Sequence, residues 1–156
     1  MTDVRVAFVD TYALRGSAAR LEVLVLRRGP RSRRCPGSWE TVHGTIEPGE
    51  TPVDASVREL KEETGLVPLR FYNLSRTEGF YQHRTGVVAL IPVFVAFVAA
   101  DSEVRLSDEH DRAEWLSPAD AAPRFSWPRE RRALEDILSI LGSGEAGLLE
   151  DVLRVS

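Results

Sequence analysis

Cysteine is almost absent from this 156-residue chain: Cys35 stands alone, so no disulfide can form within it, and a reducing compartment, the cytoplasm, is the natural reading. Histidine occurs three times, at scattered positions, and offers with Cys35 no zinc constellation. Lysine occurs once, at Lys61, against nineteen arginines. The net charge of −4 leaves no basic footprint for a nucleic-acid polymer. The apolar run Val87–Ala100 is interrupted by Pro92 and is too short for a membrane span, so it reads as a buried strand. The opening MTDVRVAFVD lacks the basic start and long apolar core of a secretory signal. With 43% hydrophobic residues the chain has enough apolar mass for one domain with its own core.

Against these scarcities stands GTIEPGETPVDASVRELKEETGL, from Gly44 to Leu66. Thr51 is a good N-cap, Pro52 suits the first helical position, Asp54 sits where a capping acid belongs, and Gly65 supplies a stop. The signals predict a helix from Pro52 to Thr64. At about 100° per residue, Glu59, Glu62 and Glu63 fall on one face. Val53, Val57, Leu60 and Thr64 gather on a roughly opposite one, which is expected to pack on a sheet. Carboxylates at this spacing repel by a few tenths of a kcal/mol per pair. A divalent cation converts that cost into affinity, and all-oxygen ligands favour Mg²⁺ or Mn²⁺ over zinc. An isolated E-x-x-E-E is usually only a solvated face. Here Gly44, Glu50, Arg58 and Gly65 accompany it at fixed intervals.

The rest of the chain reads as alternating strands and helices. Strands are expected at Val4–Tyr12, Leu21–Leu26, Trp39–His43, Leu69–Thr77, Val87–Ala99 and Arg112–Leu116, with a Ser117-capped short helix and a longer one over Pro128–Leu141. Arg27–Ser38 is an arginine-rich connection, and Tyr81–Arg84 a turn between the two long strands. Residues 142–156 read as a tail: a flexible GSGEAG stretch, then a small docking helix near Leu148–Val155. No internal repeat or second domain is visible.

The Gly44–Leu66 segment fills every fixed position of the pattern G-x5-E-x7-R-E-U-x-E-E-x-G-U, where U is bulky and aliphatic; chance would produce such a match in on the order of one chain in ten million. It resembles the catalytic box of the Nudix hydrolases. The resemblance implies an α/β/α sandwich with a mixed sheet over residues 1–141, and divalent-metal hydrolysis of a diphosphate linkage. It also implies site roles: Glu59, Glu62 and Glu63 as metal ligands, a carbonyl ligand from the Gly44 neighbourhood, Arg58 orienting a carboxylate, and Glu50 completing the ion network. Glu59 is also a candidate base for the attacking water, though the box alone does not fix which glutamate serves.

Downstream, Glu109-His110, separated by four residues from Trp115-Leu116, resembles an E-H…W-L element in which the glutamate joins the metal site; Glu109 is the matching residue, and His110 reads as a loop or outer partner rather than a ligand. GSWETVHG and WLSPADAAPRFSWPRERRALEDI are similar to elements of the dihydroneopterin-triphosphate and dATP pyrophosphohydrolases, with departures at His43 and in the Arg27–Arg34 insertion. That similarity implies a nucleoside or pterin triphosphate substrate. Alternatives are a dinucleoside polyphosphate, a nucleotide sugar or ADP-ribose, or a non-catalytic nucleotide sensor. Trp39 and Trp127 either stack on a base or pack in the core. The Arg27–Arg34 guanidiniums either grip a polyphosphate or form a solvated loop. Arg27, at a strand end, is the binding candidate among them. By analogy with the family, a homodimer is allowed.

Overall fold

Side-chain alternation along β3 (Glu22–Arg28) sorts the interior into two layers. In the computed structural model, which describes residues 1–156, Val23 and Val25 face one cluster and Leu24 and Leu26 the other. β7 (Val87–Phe97) behaves the same way, with Val93, Val95 and Phe97 on the first face and Phe94 and Ala96 on the second. One mixed sheet thus separates two cores. The first core is closed by α2 (Pro118–Arg124), α3 (Pro128–Leu141) and the C-terminal segment; the second by α1 (Pro52–Thr64). This is the expected sandwich. Each buried Leu, Val, Ile or Phe contributes about 1.5–3 kcal/mol relative to exposure. No helix is long and apolar enough to cross a membrane.

Helix α1 forms as its signals dictate. Thr51 Oγ1 accepts the Asp54 N–H at 3.1 Å, and Gly65 closes the helix at φ 74°, donating to the Lys61 carbonyl at 2.8 Å. Its buried face is the expected one in part: Leu60 and Thr64 are buried and Val53 packs on the second core, but Val57 is 36% exposed, and Ala55, Ser56 and Glu63 are buried as well.

Two expected strands are split, each at a point that matters for the site. The segment Val4–Tyr12 is β1 (Asp3–Val6) and the start of β2 (Phe8–Arg15). Both run parallel to β7, but Val6 pairs with Leu90 and Asp10 with Val93, so one extra residue bulges between them. Trp39–His43 divides into β4 (Trp39–Glu40) and β5 (Val42–Thr45). Thr41 between them gives its N–H to Glu130 at 2.6 Å and its hydroxyl to the Thr11 carbonyl at 2.7 Å. β4 therefore stays on β3 while β5 pairs antiparallel with β2.

β6 (Arg70–Gln82) outruns its expected end and pairs antiparallel with β7 beyond an irregularity at Asn73–Thr77, where Ser75 turns to φ 58° and donates to the Asn73 side chain. β8 (His110–Leu116) lies antiparallel on β3. The C-terminal segment is not a loose linker. Ala146 is buried, Glu150 of α4 (Glu150–Leu153) accepts from Tyr72 Oη at 2.8 Å, and Phe71 exchanges backbone hydrogen bonds with Val155 and Ser156 along the edge of β6.

Candidate active site

Arg58 is the hub of the acidic helix face. It donates to both oxygens of Glu50 (2.7 and 2.8 Å), to Glu59 at 2.9 Å, to Glu62 at 3.1 Å and to the Thr45 carbonyl at 2.9 Å. The paired hydrogen bonds from Arg58, helped by the Glu47 N–H, lower the Glu50 carboxyl to about 2. Planar guanidinium geometry suits this multi-point clamp. Gly44 on β5 faces the same carboxylate. A Cβ there would overlap Cγ and Cδ of Glu59 and lie 2.6 Å from its Oε1, so only glycine leaves Glu59 this position.

Glu63 is unlike its neighbours. It is 3% exposed, and neither carboxylate oxygen has a hydrogen-bond partner. Burial, with the close approach of Glu109, pushes its carboxyl well above the usual range. Glu109 arrives from the segment preceding β8, which is tied to the end of α1 by Arg105 N–H to Thr64 O (2.8 Å) and Ser107 N–H to Glu63 O (3.3 Å). Donor atoms of Glu63, Glu109 and His110 lie within 4.8 Å of one another. His110 is buried, with Nε2 3.0 Å from Glu40 Oε2, and Glu40 is also bonded by Arg28 at 3.1 Å. Oxygen-rich donors, two of them buried without partners, and a bare backbone at Gly44 fit a divalent cation.

This acidic corner opens into a cleft of about 1150 Å³. Glu59, Glu109, Asp108, Glu40 and Glu78 line it as carboxylates, Gly44 as bare backbone, and Arg28, Arg31, Arg33, Arg34, Arg84, Arg129 and Arg132 as guanidiniums. Phe8, Phe80, His43 and Trp127 add flat surfaces. The Phe8 ring lies 5.1 Å from His43 and 6.1 Å from Phe80, and Arg129 stands 5.4 Å over Trp127. Beneath the floor is a buried network that the sequence reading did not find. Asp10, fully buried, bonds His43 Nδ1 at 2.7 Å and Arg129 Nε at 2.9 Å. Burial alone raises the Asp10 carboxyl, but His43 and Arg129 outweigh it and hold it below its ordinary value. Glu130, equally buried, is pushed well above its ordinary value by burial and by Asp10. The available signal was a carboxylate inside the apolar alternation FVDTYALR.

Among the residues singled out from sequence, Gly44, Glu59, Glu109 and Trp127 line the cleft, Arg58 and Glu50 stand behind Glu59, Glu63 is buried beside Glu109, and Glu62 is exposed on the helix. Arg27 and Trp39 do not line it: Arg27 departs from its expected binding place, and Trp39 takes the core-packing alternative. Arg27 is engaged by Asp111 through two hydrogen bonds (2.9 and 3.0 Å), and Trp39 packs on the first core between Arg27 and Arg124, its backbone N–H on Ser126 Oγ.

A family model described as NUDIX domain matches residues 5–137. The chain belongs to the NUDIX family. A nucleoside triphosphatase NudI of Escherichia coli is 30% identical over 92 residues, covering 54% of this chain and 65% of that protein. A Myxococcus xanthus protein named octanoyltransferase is 32% identical over 135 residues, covering 81% of this chain. The chain spans 35% of that relative's length and less than two thirds of NudI's. In fold this NUDIX chain resembles a Caenorhabditis elegans Ap4A hydrolase (TM-score 0.71, 22% identity, 86% of this chain and 96% of that one).

Proposed function

We propose that the chain is a Mg²⁺- or Mn²⁺-dependent pyrophosphohydrolase that cleaves a phosphoanhydride of a nucleoside or pterin triphosphate and releases pyrophosphate. The observation that carries this is the meeting of the unpartnered Glu63 with Glu109 and Glu59 at one end of a cleft that seven arginines also line. Glu59, Glu62, Glu63, Glu109 and the Gly44 carbonyl are assigned to the cation. When bound, the cation neutralises diphosphate charge and acidifies water. Burial raises the Glu59 carboxyl above its usual range even beside Arg58, so Glu59 is the group assigned to take a proton from the attacking water. Arg58 keeps Glu59 in register. Arginines of the 31–34 loop hold the phosphates, and Trp127 with Phe80 stacks the ring of the base or pterin. The exposed thiol of Cys35 at the cleft suits a reducing compartment such as the cytoplasm.

The test is product-resolved turnover with Mg²⁺ over nucleoside triphosphates, dihydroneopterin triphosphate, diadenosine tetraphosphate and ADP-ribose. Pyrophosphate plus a monophosphate from a triphosphate, abolished in Glu63→Gln, is expected. Unchanged turnover in Glu63→Gln overturns the assignment. A second reading, a dinucleoside polyphosphate hydrolase, is favoured by one observation. Arg31, Arg33, Arg34, Arg84 and Arg132 line the cleft without a carboxylate partner, a supply of charge suited to a longer phosphate chain. Release of ATP from diadenosine tetraphosphate as the fastest reaction would establish it.

A further inference from the structure

Charge around the acidic corner is compensated unevenly. Arg58 serves Glu50, Glu59 and Glu62, and Arg28 serves Glu40. Neither Glu63 nor Glu109 has a basic partner, although each lies close to the other and to His110. A buried carboxylate with both oxygens unsatisfied is costly and is expected to have a partner. His110 carries the same signature. Its Nε2 is engaged by Glu40, while Nδ1, also buried, has no partner, and a ring nitrogen of His110 lies within 4.8 Å of carboxylate oxygens of Glu63 and Glu109. If Glu40 accepts the Nε2 proton, the Nδ1 lone pair is free. Carboxylate to imidazole to ion is the arrangement by which metal-binding histidines are oriented.

We propose that His110 Nδ1 is a metal ligand, making a mixed nitrogen–oxygen centre with Glu63 and Glu109 that prefers a first-row transition ion such as Mn²⁺ to Mg²⁺. Glu40, held by Arg28, is the positioning residue that fixes the imidazole tautomer. This departs from the sequence expectation of an all-oxygen site with His110 outside it. Imidazole is a borderline ligand that suits transition ions, whereas Mg²⁺ favours hard oxygens and keeps its waters. The inference rests on the metal-dependent reading above and is independent of the substrate.

The decisive readout is pulsed electron paramagnetic resonance of Mn²⁺ bound to the full chain, prepared with natural and with ¹⁵N-labelled histidine, alongside calorimetric titration with Mn²⁺ and Mg²⁺. The expected result is a nitrogen coupling that changes isotope pattern with the label, persists in His43→Gln and vanishes in His110→Gln. Mn²⁺ affinity should exceed that for Mg²⁺ at least about tenfold. It should fall on the order of 10–100-fold in Glu40→Gln, with Mg²⁺ affected less. The isotope experiment needs no variant, so a substitution that fails to fold does not remove the test. Bound Mn²⁺ without histidine nitrogen coupling, or coupling retained in His110→Gln, overturns the assignment. Hydrolysis without coupling sinks this inference and leaves the proposed function standing; coupling without hydrolysis does the reverse.

Discussion

Replacing Gly44 by alanine separates catalysis from stability. The new methyl group would overlap Cγ and Cδ of Glu59 and approach its Oε1 to 2.6 Å. Reaching an ordinary carbon–carbon separation of about 3.5 Å requires those atoms to retreat by roughly 1 Å or more. Glu59 can do this only by leaving its rotamer and its 2.9 Å hydrogen bond from Arg58. An off-rotamer side chain costs about 0.5–1.5 kcal/mol. Alanine for glycine returns about 0.4–1 kcal/mol by restricting the unfolded chain, since Gly44 is not at positive φ. The net stability change is therefore within about 1 kcal/mol, a Tm shift of roughly 2–4 °C for a domain of this size. A displacement of about 1 Å in a catalytic group costs on the order of 100-fold in rate, or about 2.7 kcal/mol of transition-state stabilisation. Steady-state kinetics with Mg²⁺ and thermal melts should show that split. Turnover within threefold of wild type would refute the reasoning. So would a collapse in Tm, which would mean that backbone, not Glu59, absorbs the overlap.

Asp10→Asn leaves the largely buried Arg129 without its counter-charge and should lower unfolding free energy by about 3–5 kcal/mol in urea titrations. Because the folded Asp10 carboxyl lies below its ordinary 3.8, its contribution is complete above that pH and is lost as pH falls through the folded value; the Asn variant should lack that acid limb. Glu130 has the opposite sign: its folded value is raised, so wild-type stability should decline as pH rises above 4.5 toward that value. Glu130→Gln should flatten this decline, and an unchanged pH–stability curve would contradict it. Leu153→Ala should cost about 2–3 kcal/mol by thermal melt, because the C-terminal segment is packed rather than trailing. Arg27→Ala should leave kcat/KM within about twofold, since its guanidinium is spent on Asp111.

Local rules made the box helix legible: a cap at Thr51, a proline after it and a left-handed glycine at Gly65 each act over a few residues. The exceptional burial of Glu63 was also within reach. It lies about 40° round the helix from Glu59 and about 60° from Leu60, on the boundary between acidic and apolar faces. Long-range matters were not legible. Arg27 finds Asp111 eighty-four positions away, and the break at Thr41 is set by Glu130, eighty-nine away. Nothing in GSGEAG announces that the following turn will hydrogen-bond to Tyr72 and close the edge of the sheet.

The two cores on opposite faces of the sheet have a consequence for divergence. The α1 carboxylates proposed to hold the cation are anchored on one face; Trp127, Arg129 and Arg132 at the start of α3 belong to the other. On the proposed function, hydrolytic machinery and ligand selection are rooted in separate hydrophobic foundations. Substitutions that retune one need not disturb the other. A laboratory selection for new substrates should accumulate changes around residues 31–35 and 127–132 while leaving α1 untouched.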